Sequence, residues 1–470
     1  MSSMGRREFL GRCAAGMGLL GQEPPPPPIP FDLPLVGRVR ARPAAEIPAS
    51  PLSVGFETLD RQLFEPGKAY PRLAALGAKW ARCQTGWGRT ERRKGEYDFA
   101  WLDDVVDTLR KAGIQPWFNL GYGNRLYTPE APDDFAVGWV PLNDEGARAG
   151  WVRFVGRIAE HFRGRVRHWE IWNEPNITNF WKPRKPAAED YVELVRITAP
   201  EIRRRIPDAV LVGGAFAGMP TDYFRRCLEA GMAEFVDRVS YHPYRPVPEK
   251  GYEAEVRAWR ALAEKHKPGL RFWQGENGCP SRKGGSGALA NLEWDELRQA
   301  KWVLRRILMD LALEIELTSY YHTVDLVGYR LAAGGPGKTN FKGLLRGEDY
   351  SPKPSYFAYQ CLAALFDAET RRVEPEVRLA AGAEVQTASF VRRDRPIHAW
   401  WVPADLLRGF EAAKAEVAVP EEGFAEPVLV DPLSAGVHAL PRARRSGGRW
   451  IFPDLPLTDW PLLVLDRSLV

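Results

Sequence analysis

Three glutamates stand in two short aromatic stretches. Residues 168–176 read HWEIWNEPN, with Glu170 and Glu174, and residues 272–278 read FWQGENG, with Glu276. Paired carboxylates without a metal-ligand cluster are a residue set for opening an acetal: one protonates the leaving oxygen and the other attacks the anomeric carbon. The proton donor must be kept neutral, by burial or by the negative charge of its partner. Glu170 lies two residues before Trp172 and about 7 Å deeper on an extended chain. A carboxylate at that depth needs a cation or hydrogen-bond donors, so Glu170 reads as structural. The seven histidines are scattered, and the five cysteines (13, 83, 227, 279 and 361) contain no C-x-x-C. Neither pattern has metal-ligand spacing, so no metal and no cofactor are expected. An exported chain could pair some of these cysteines, and the spacing does not say which.

The elements that must position these groups alternate. From 53 to 366, β-rich runs follow helical runs with 3.6-residue apolar periodicity, as in YDFAWLDDVVDTLRKAG, where Trp101, Leu102, Val105, Val106 and Leu109 share a face before Gly113. Eight such units predict a parallel sheet closed into a (β/α)8 barrel. Strand 4 is expected over 166–175 and strand 7 over 270–277, with Glu174 and Glu276 at the C-terminal rim where barrel sites lie. Strict alternation would put Glu170, Trp172 and Glu174 on one side and Asn173 on the other, loosening near the rim. Pro175 biases Glu174 away from helical backbone angles and stops the strand. Gly275 and Gly278 flank Glu276 and permit close backbone approach. Beyond 370 short β runs separated by Gly, Pro and charged turns predict an antiparallel β-sandwich. The expected division is therefore a barrel over 53–370 and a sandwich over 371–470. Residues 31–52 form an N-terminal extension that could add a sandwich strand.

With these motifs placed, EIWNEPN, SYHPY and QGENG together resemble the clan A glycoside hydrolases. They look most like family 39, the β-xylosidase and iduronidase-like group. The resemblance extends over nearly all of 53–470 and includes GEYDFAWLDDVVDTLRKAGI and GLLRGEDYSPKPSYFAYQ. It implies a retaining mechanism with Glu174 as acid/base and Glu276 as nucleophile. It also implies that Asn173 binds the sugar 2-hydroxyl and that Arg82 lies beside the nucleophile and favours its ionised form. His242 and Tyr244 match the H-x-Y pattern of strand 6, with Tyr244 near Glu276. The clan usually offers Trp beneath the sugar at strand 8; TSYYHTVD places Tyr321 or His322 there, which puts the substrate in doubt rather than the chemistry. The glycine before Glu276 is also less usual for the family.

Composition is that of a soluble globular chain: 470 residues, 45% hydrophobic, 27% charged. A net charge of +5 is small for this length and gives no reason to expect nucleic acid. The basic run PRARRSGGRW reads as a solvated hairpin turn. Seventeen Trp is a high count, and Trp87, Trp117 and Trp181 follow strands where a sugar platform could stand. Arg282 and Lys283, in a long loop after strand 7, suggest contact with an acidic sugar. The sequon NIT at 176–178 reads as accidental beside the catalytic position. At the N-terminus Arg6-Arg7 before Phe9-Leu10 and a short apolar run resemble a twin-arginine export signal, with PPPPP at 24–28 as a stiff linker. Residues 1–30 are thus expected to be signal and linker, giving a periplasmic or extracellular protein without an integral membrane span. The expected partner is an oligosaccharide or polysaccharide, and the sequence says nothing of oligomeric state. The competing reading is a carbohydrate-binding protein on a barrel that has lost catalysis.

Overall fold

A computed structural model describes residues 24–26, 32–330, 337–380, 382 and 384–470. The twin-arginine motif and most of the expected linker lie outside them. Eight parallel strands close in chain order into a barrel. They are β1 (Leu52–Gly55), β2 (Trp80–Gln84), β3 (Gln115–Leu120), β4 (His168–Ile171), β5 (Val210–Ala217), β6 (Arg238–His242), β7 (Arg271–Asn277) and β8 (Leu317–Tyr320). The main helices are α1 (Pro66–Leu76), α2 (Ala100–Lys111), α3 (Glu145–Phe162), α4 (Ala188–Arg205), α5 (Thr221–Glu229), α6 (Tyr252–Glu264), α7 (Glu296–Ala312) and α8 (Pro354–Leu365). In α2 the buried residues are Leu102, Val105, Val106 and Leu109, the stripe its periodicity predicts, while Trp101 is only half-buried. α3 and α7 start on Asp144 and Asp295, whose side chains accept the N–H groups of Ala147 and Arg298.

The barrel is filled in layers. At the N-terminal end Trp117, Val212, Trp273 and Leu317 pack together, with Trp80 against them. Arg82 lies over this floor, 5.5 Å from the Trp117 ring. Large apolar side chains below and a charged layer above divide the interior into a plug and a site.

Strand 4 is shorter than expected. β4 ends at Ile171, and Trp172 and Glu174 both take left-handed backbone angles (φ 70° and 47°). The reversal turns Trp172 out of the barrel, which corrects the expectation that it shares a side with Glu170. Its ring lies 5.9 Å from Trp151 and 6.2 Å from Trp181, and its N–H donates to the Phe180 carbonyl at 2.7 Å. Packing on the α3 side of the wall outweighs the strand period here.

After α8 come two antiparallel sheets. One has seven strands, the other four. In the smaller sheet, Arg444–Ser446 pairs with Arg449–Leu457 across Gly447-Gly448, both at positive φ (58° and 72°), a backbone that favours glycine. The strand Leu35–Arg38 joins the edge of the larger sheet by pairing with Gly436–His438. α7 ties the barrel to this region. Arg305 donates to Glu249 (2.6 and 2.8 Å) and to the Ala404 carbonyl (2.7 Å), Trp401 donates to Glu249 (2.7 Å), and Lys301 pairs with Asp459 (2.7 Å). Cys83, Cys227, Cys279 and Cys361 are buried and unpaired. No helix among the described residues is long and apolar enough to cross a membrane.

Candidate active site

Arg82, on β2, is fully buried and organises the centre of the barrel. Its Nε and Nη2 donate to Glu170 Oε2 (2.9 and 2.5 Å), Nη1 to Glu57 Oε1 (3.2 Å) and Glu276 Oε2 (2.7 Å), and Nη2 also to Asn173 Oδ1 (2.8 Å). Glu170 further accepts from Asn119 (2.8 Å) and, on its other oxygen, from Ser240. Oε2 of this deep carboxylate thus accepts three hydrogen bonds and Oε1 one, which is how its charge is tolerated at 0% exposure. Gly275 leaves little room beside it: a Cβ there would lie 3.1 Å from Ser240 Cβ and 3.2 Å from Glu170 Oε1.

Above this layer opens a cavity of about 410 Å³, lined among others by Glu57, Arg61, Tyr122, Asn173, Glu174, His242, Tyr244, Glu276, Tyr321 and Lys342. Glu276 ends β7. Tyr244 donates to its Oε1 at 2.9 Å while Arg82 holds Oε2. Glu174 has a different environment. Its N–H bonds the Ala215 carbonyl at 2.8 Å, fixing the turn after β4 to β5. Its Oε1 stands 2.9 Å from His242 Nδ1, and no cation pairs with it directly. Burial pushes the Glu174 carboxyl up to about 7, with Arg82 and Lys342 pulling the other way. Burial also holds His242 down to about 4, so the imidazole is neutral near pH 7. An oxygen of Glu174, an oxygen of Glu276 and a nitrogen of His242 all lie within 4.8 Å of one another.

The structure thus brings Glu174, Glu276, Asn173, Arg82, His242 and Tyr244 to one place. Of the two strand-8 alternatives, Tyr321 lines the cavity, whereas His322 lies behind it, its ring nitrogens 3.2 Å from the Glu57 carbonyl and 3.1 Å from that of Val324. Trp181 is a correction. It is fully buried between Trp172 and Tyr191 and does not reach the cavity, because the turned-out Trp172 draws it into the wall. Trp87 and Trp117 are fully buried too. Lys283 pairs with exposed Glu293, and Arg282 lies over the Phe341 ring. Asn176, in the sequon, uses both ends of its amide on the Ala217 backbone at 2.9 Å each. Sequence reasoning missed Glu57, Arg61, Tyr122 and Lys342. Their only signal is position: all four sit just beyond a strand's C-terminal end or in the long segment after β8.

A closed parallel barrel with two acidic side chains meeting at the C-terminal ends of strands 4 and 7 is the clan A arrangement. Within that class the chain is family-39-like: the model of Glycosyl hydrolases family 39 matches residues 84–265. That stretch holds Asn173, Glu174, His242 and Tyr244 and stops short of Glu276. A β-xylosidase from Geobacillus stearothermophilus is 29% identical over 163 residues, covering 32% of this chain and 31% of that protein. A second β-xylosidase, from Caldicellulosiruptor saccharolyticus, is 24% identical over 304 residues, covering 57% of each. The matches therefore span about a third and just over half of these relatives. Among solved structures, a family 39 glycoside hydrolase from Bacteroides cellulosilyticus WH2 superposes with a TM-score of 0.67 at 21% identity, covering 89% of this chain and 81% of that one. A monomeric β-xylosidase from Caulobacter crescentus CB15 gives 0.62 at 19% identity, covering 91% and 98%.

Proposed function

We propose that the protein is a retaining glycoside hydrolase acting on β-glycosidic bonds, with Glu174 as acid/base and Glu276 as nucleophile. The observation that carries this is the contrast between two carboxylates in contact range. Glu174 is buried, is raised to about 7 so that a large share of it is protonated near neutral pH, and is bonded only to a neutral imidazole. Glu276 accepts from Arg82 and Tyr244, which fix both its oxygens and aim the carboxylate into the cavity. Carboxyl groups of retaining enzymes stand about 5–5.5 Å apart and those of inverting enzymes about 6.5–9.5 Å. Oxygens within 4.8 Å favour the first case.

In this reading Glu276 attacks the anomeric carbon while Glu174 gives its proton to the leaving oxygen. The ester formed at Glu276 removes a negative charge beside Glu174, which then accepts a proton from the attacking water. Asn173, clamped by Arg82, offers its amide N–H to the 2-hydroxyl. The family likeness supports β-xylosides as substrates. The test is turnover of a panel of aryl β-glycosides, followed by Glu276→Gly with azide. Wild-type activity, loss in the variant by more than about a thousandfold, and azide rescue to a glycosyl azide of inverted configuration are expected. Sugar binding with no turnover on any substrate would instead establish a binding protein. The same three side chains have chelating spacing, but Arg82 at 2.7 Å from Glu276 opposes a further cation. Activity unchanged by a chelator is expected on the glycosidase reading.

A further inference from the structure

The cavity has two unlike walls. The ends of β8, β1 and β2 and the segments after them bring polar side chains to it, among them Glu57, Arg61, Gln84 and Lys342. Half-way round the closed barrel, the ends of β4 and β5 bring Ile177, Asn179, Phe180, Ala217 and Gly218. Apart from Glu174 itself, Asn179 has the one polar side chain in this second set. The set is tied to the acid through the backbone. Ile177 N–H bonds the Glu174 carbonyl at 3.3 Å and Phe180 N–H bonds the Ile177 carbonyl at 3.2 Å, so both apolar side chains follow directly from the turn that holds Glu174. The Phe180 ring is stacked on Tyr122, with centres 5.5 Å apart and planes within 9°. The hydrogen-bonding groups nearby are engaged elsewhere. Asn176 spends its amide on the Ala217 backbone, and the Tyr223 hydroxyl faces the carbonyls of Pro175 and Ala187 at 3.1 and 3.0 Å. The Gly218 N–H goes to the His242 carbonyl at 3.0 Å.

The atom that takes the proton of Glu174 is the leaving oxygen, so the leaving group lies against the acid's own wall. A sugar placed there would turn hydroxyls towards Ile177, Phe180 and Ala217, and each would lose water without gaining a partner. An apolar ring gains from the same surface, because its burial there removes hydrocarbon from water. We infer that the leaving group is an apolar alcohol, aryl-alkyl or alicyclic, rather than a second sugar, and that Ile177 selects it. This rests on the glycosidase reading above and narrows it: the oligosaccharide or polysaccharide expected from the sequence becomes a sugar joined to an apolar alcohol. The alcohol departs with the proton of Glu174, and water releases the sugar from Glu276, so no further reactant enters. In the rival arrangement the wall only closes the site, and the second ring of a disaccharide passes over it into solvent beside exposed Asn179. The test separates the two.

On the sugar that the aryl panel shows to be cleaved, the benzyl and cyclohexylmethyl β-glycosides are compared by kcat/KM with the 1,4-β-linked disaccharide, for wild type, Ile177→Asn and Ile177→Leu. For xylose the three substrates are benzyl β-D-xyloside, cyclohexylmethyl β-D-xyloside and xylobiose. Benzyl alcohol and cyclohexylmethanol are weaker acids than a sugar hydroxyl, so leaving-group chemistry favours the disaccharide and only contacts with the wall can reverse the order. The wild type should prefer the two apolar glycosides by about tenfold or more, the range for filling a hydrophobic pocket. Ile177→Asn should lose most of that preference through the apolar substrates and change little on the disaccharide. Ile177→Leu should keep it, which separates selection from misfolding. Calorimetry with benzyl 1-thio-β-D-xyloside and thioxylobiose, which resist cleavage, reads the same wall without turnover, and the first should bind more tightly. A disaccharide cleaved as well as the apolar glycosides overturns this inference and leaves the glycosidase reading intact. An apolar preference that persists in Ile177→Asn overturns the role given to Ile177. Tighter binding of the benzyl thioglycoside with no glycoside cleaved retains the apolar wall and removes the glycosidase reading, and equal binding with no cleavage removes both.

Discussion

Arg82 touches three carboxylates, and one guanidinium cannot neutralise them all. Burial resolves this by raising Glu57 to about 8, so that it is mostly neutral at pH 7 and leaves the positive charge to Glu170 and Glu276. The same effect on Glu174 gives a prediction at this scale. In its proposed role as general acid Glu174 must be protonated in the resting protein, and its raised value lies near 7. Catalysis should therefore hold below that pH and fall as pH rises through about 7. A kcat/KM profile on an aryl glycoside with a poor leaving group measures this limb. A limb that remains in Glu174→Ala would assign it to another group. The difference in depth between Glu170 and Glu174 was legible in the sequence, because strand spacing alone puts one a layer below the other. Glu57 and Lys342 were not, since they reach the cavity from loops whose course no local pattern records.

Strand β4 shows how an element sets the direction of a site. The period-2 pattern of HWEIWNEPN holds through Ile171 and then breaks, because Trp172 fits an aromatic slot outside the barrel better than the crowded interior. That break turns Asn173 inward to Arg82 and lets the Glu174 N–H reach β5. The eight strands and eight main helices were readable from periodicity to within a few residues. Where β4 ends was not, because tertiary packing decides it. Trp172→Ala should reduce unfolding free energy by about 3–5 kcal/mol, the range for emptying a large aromatic site. It should also lower kcat more than KM, since the turn carrying the acid loses its anchor. Urea unfolding and steady-state kinetics together test this; a stability loss with unchanged kcat would mean the turn is held by its backbone bonds alone.

At the scale of the molecule, the second region buttresses the site rather than hanging from it. Glu249, whose side chain is 7% exposed, lies in the loop after β6 that carries Tyr244, and it is held by Arg305 from α7 and Trp401 from the larger sheet. Arg305→Met leaves that carboxylate buried beside a single neutral donor and should destabilise the protein by about 3–5 kcal/mol. Thermal unfolding reads the change, and Arg305→Met with Glu249→Gln should recover part of it. The two-part plan was visible in the change of pattern near 370, while the contacts joining the parts lie hundreds of residues apart and have no local signature. One such contact sets a clock. Leu35 pairs with His438, so the first strand of the larger sheet has no partner there until about 400 further residues have been made. At about 5–20 residues per second that delay is roughly 20–80 s. That strand stays unclaimed while the barrel assembles behind it, and it is fastened only after the barrel's own strands have been made.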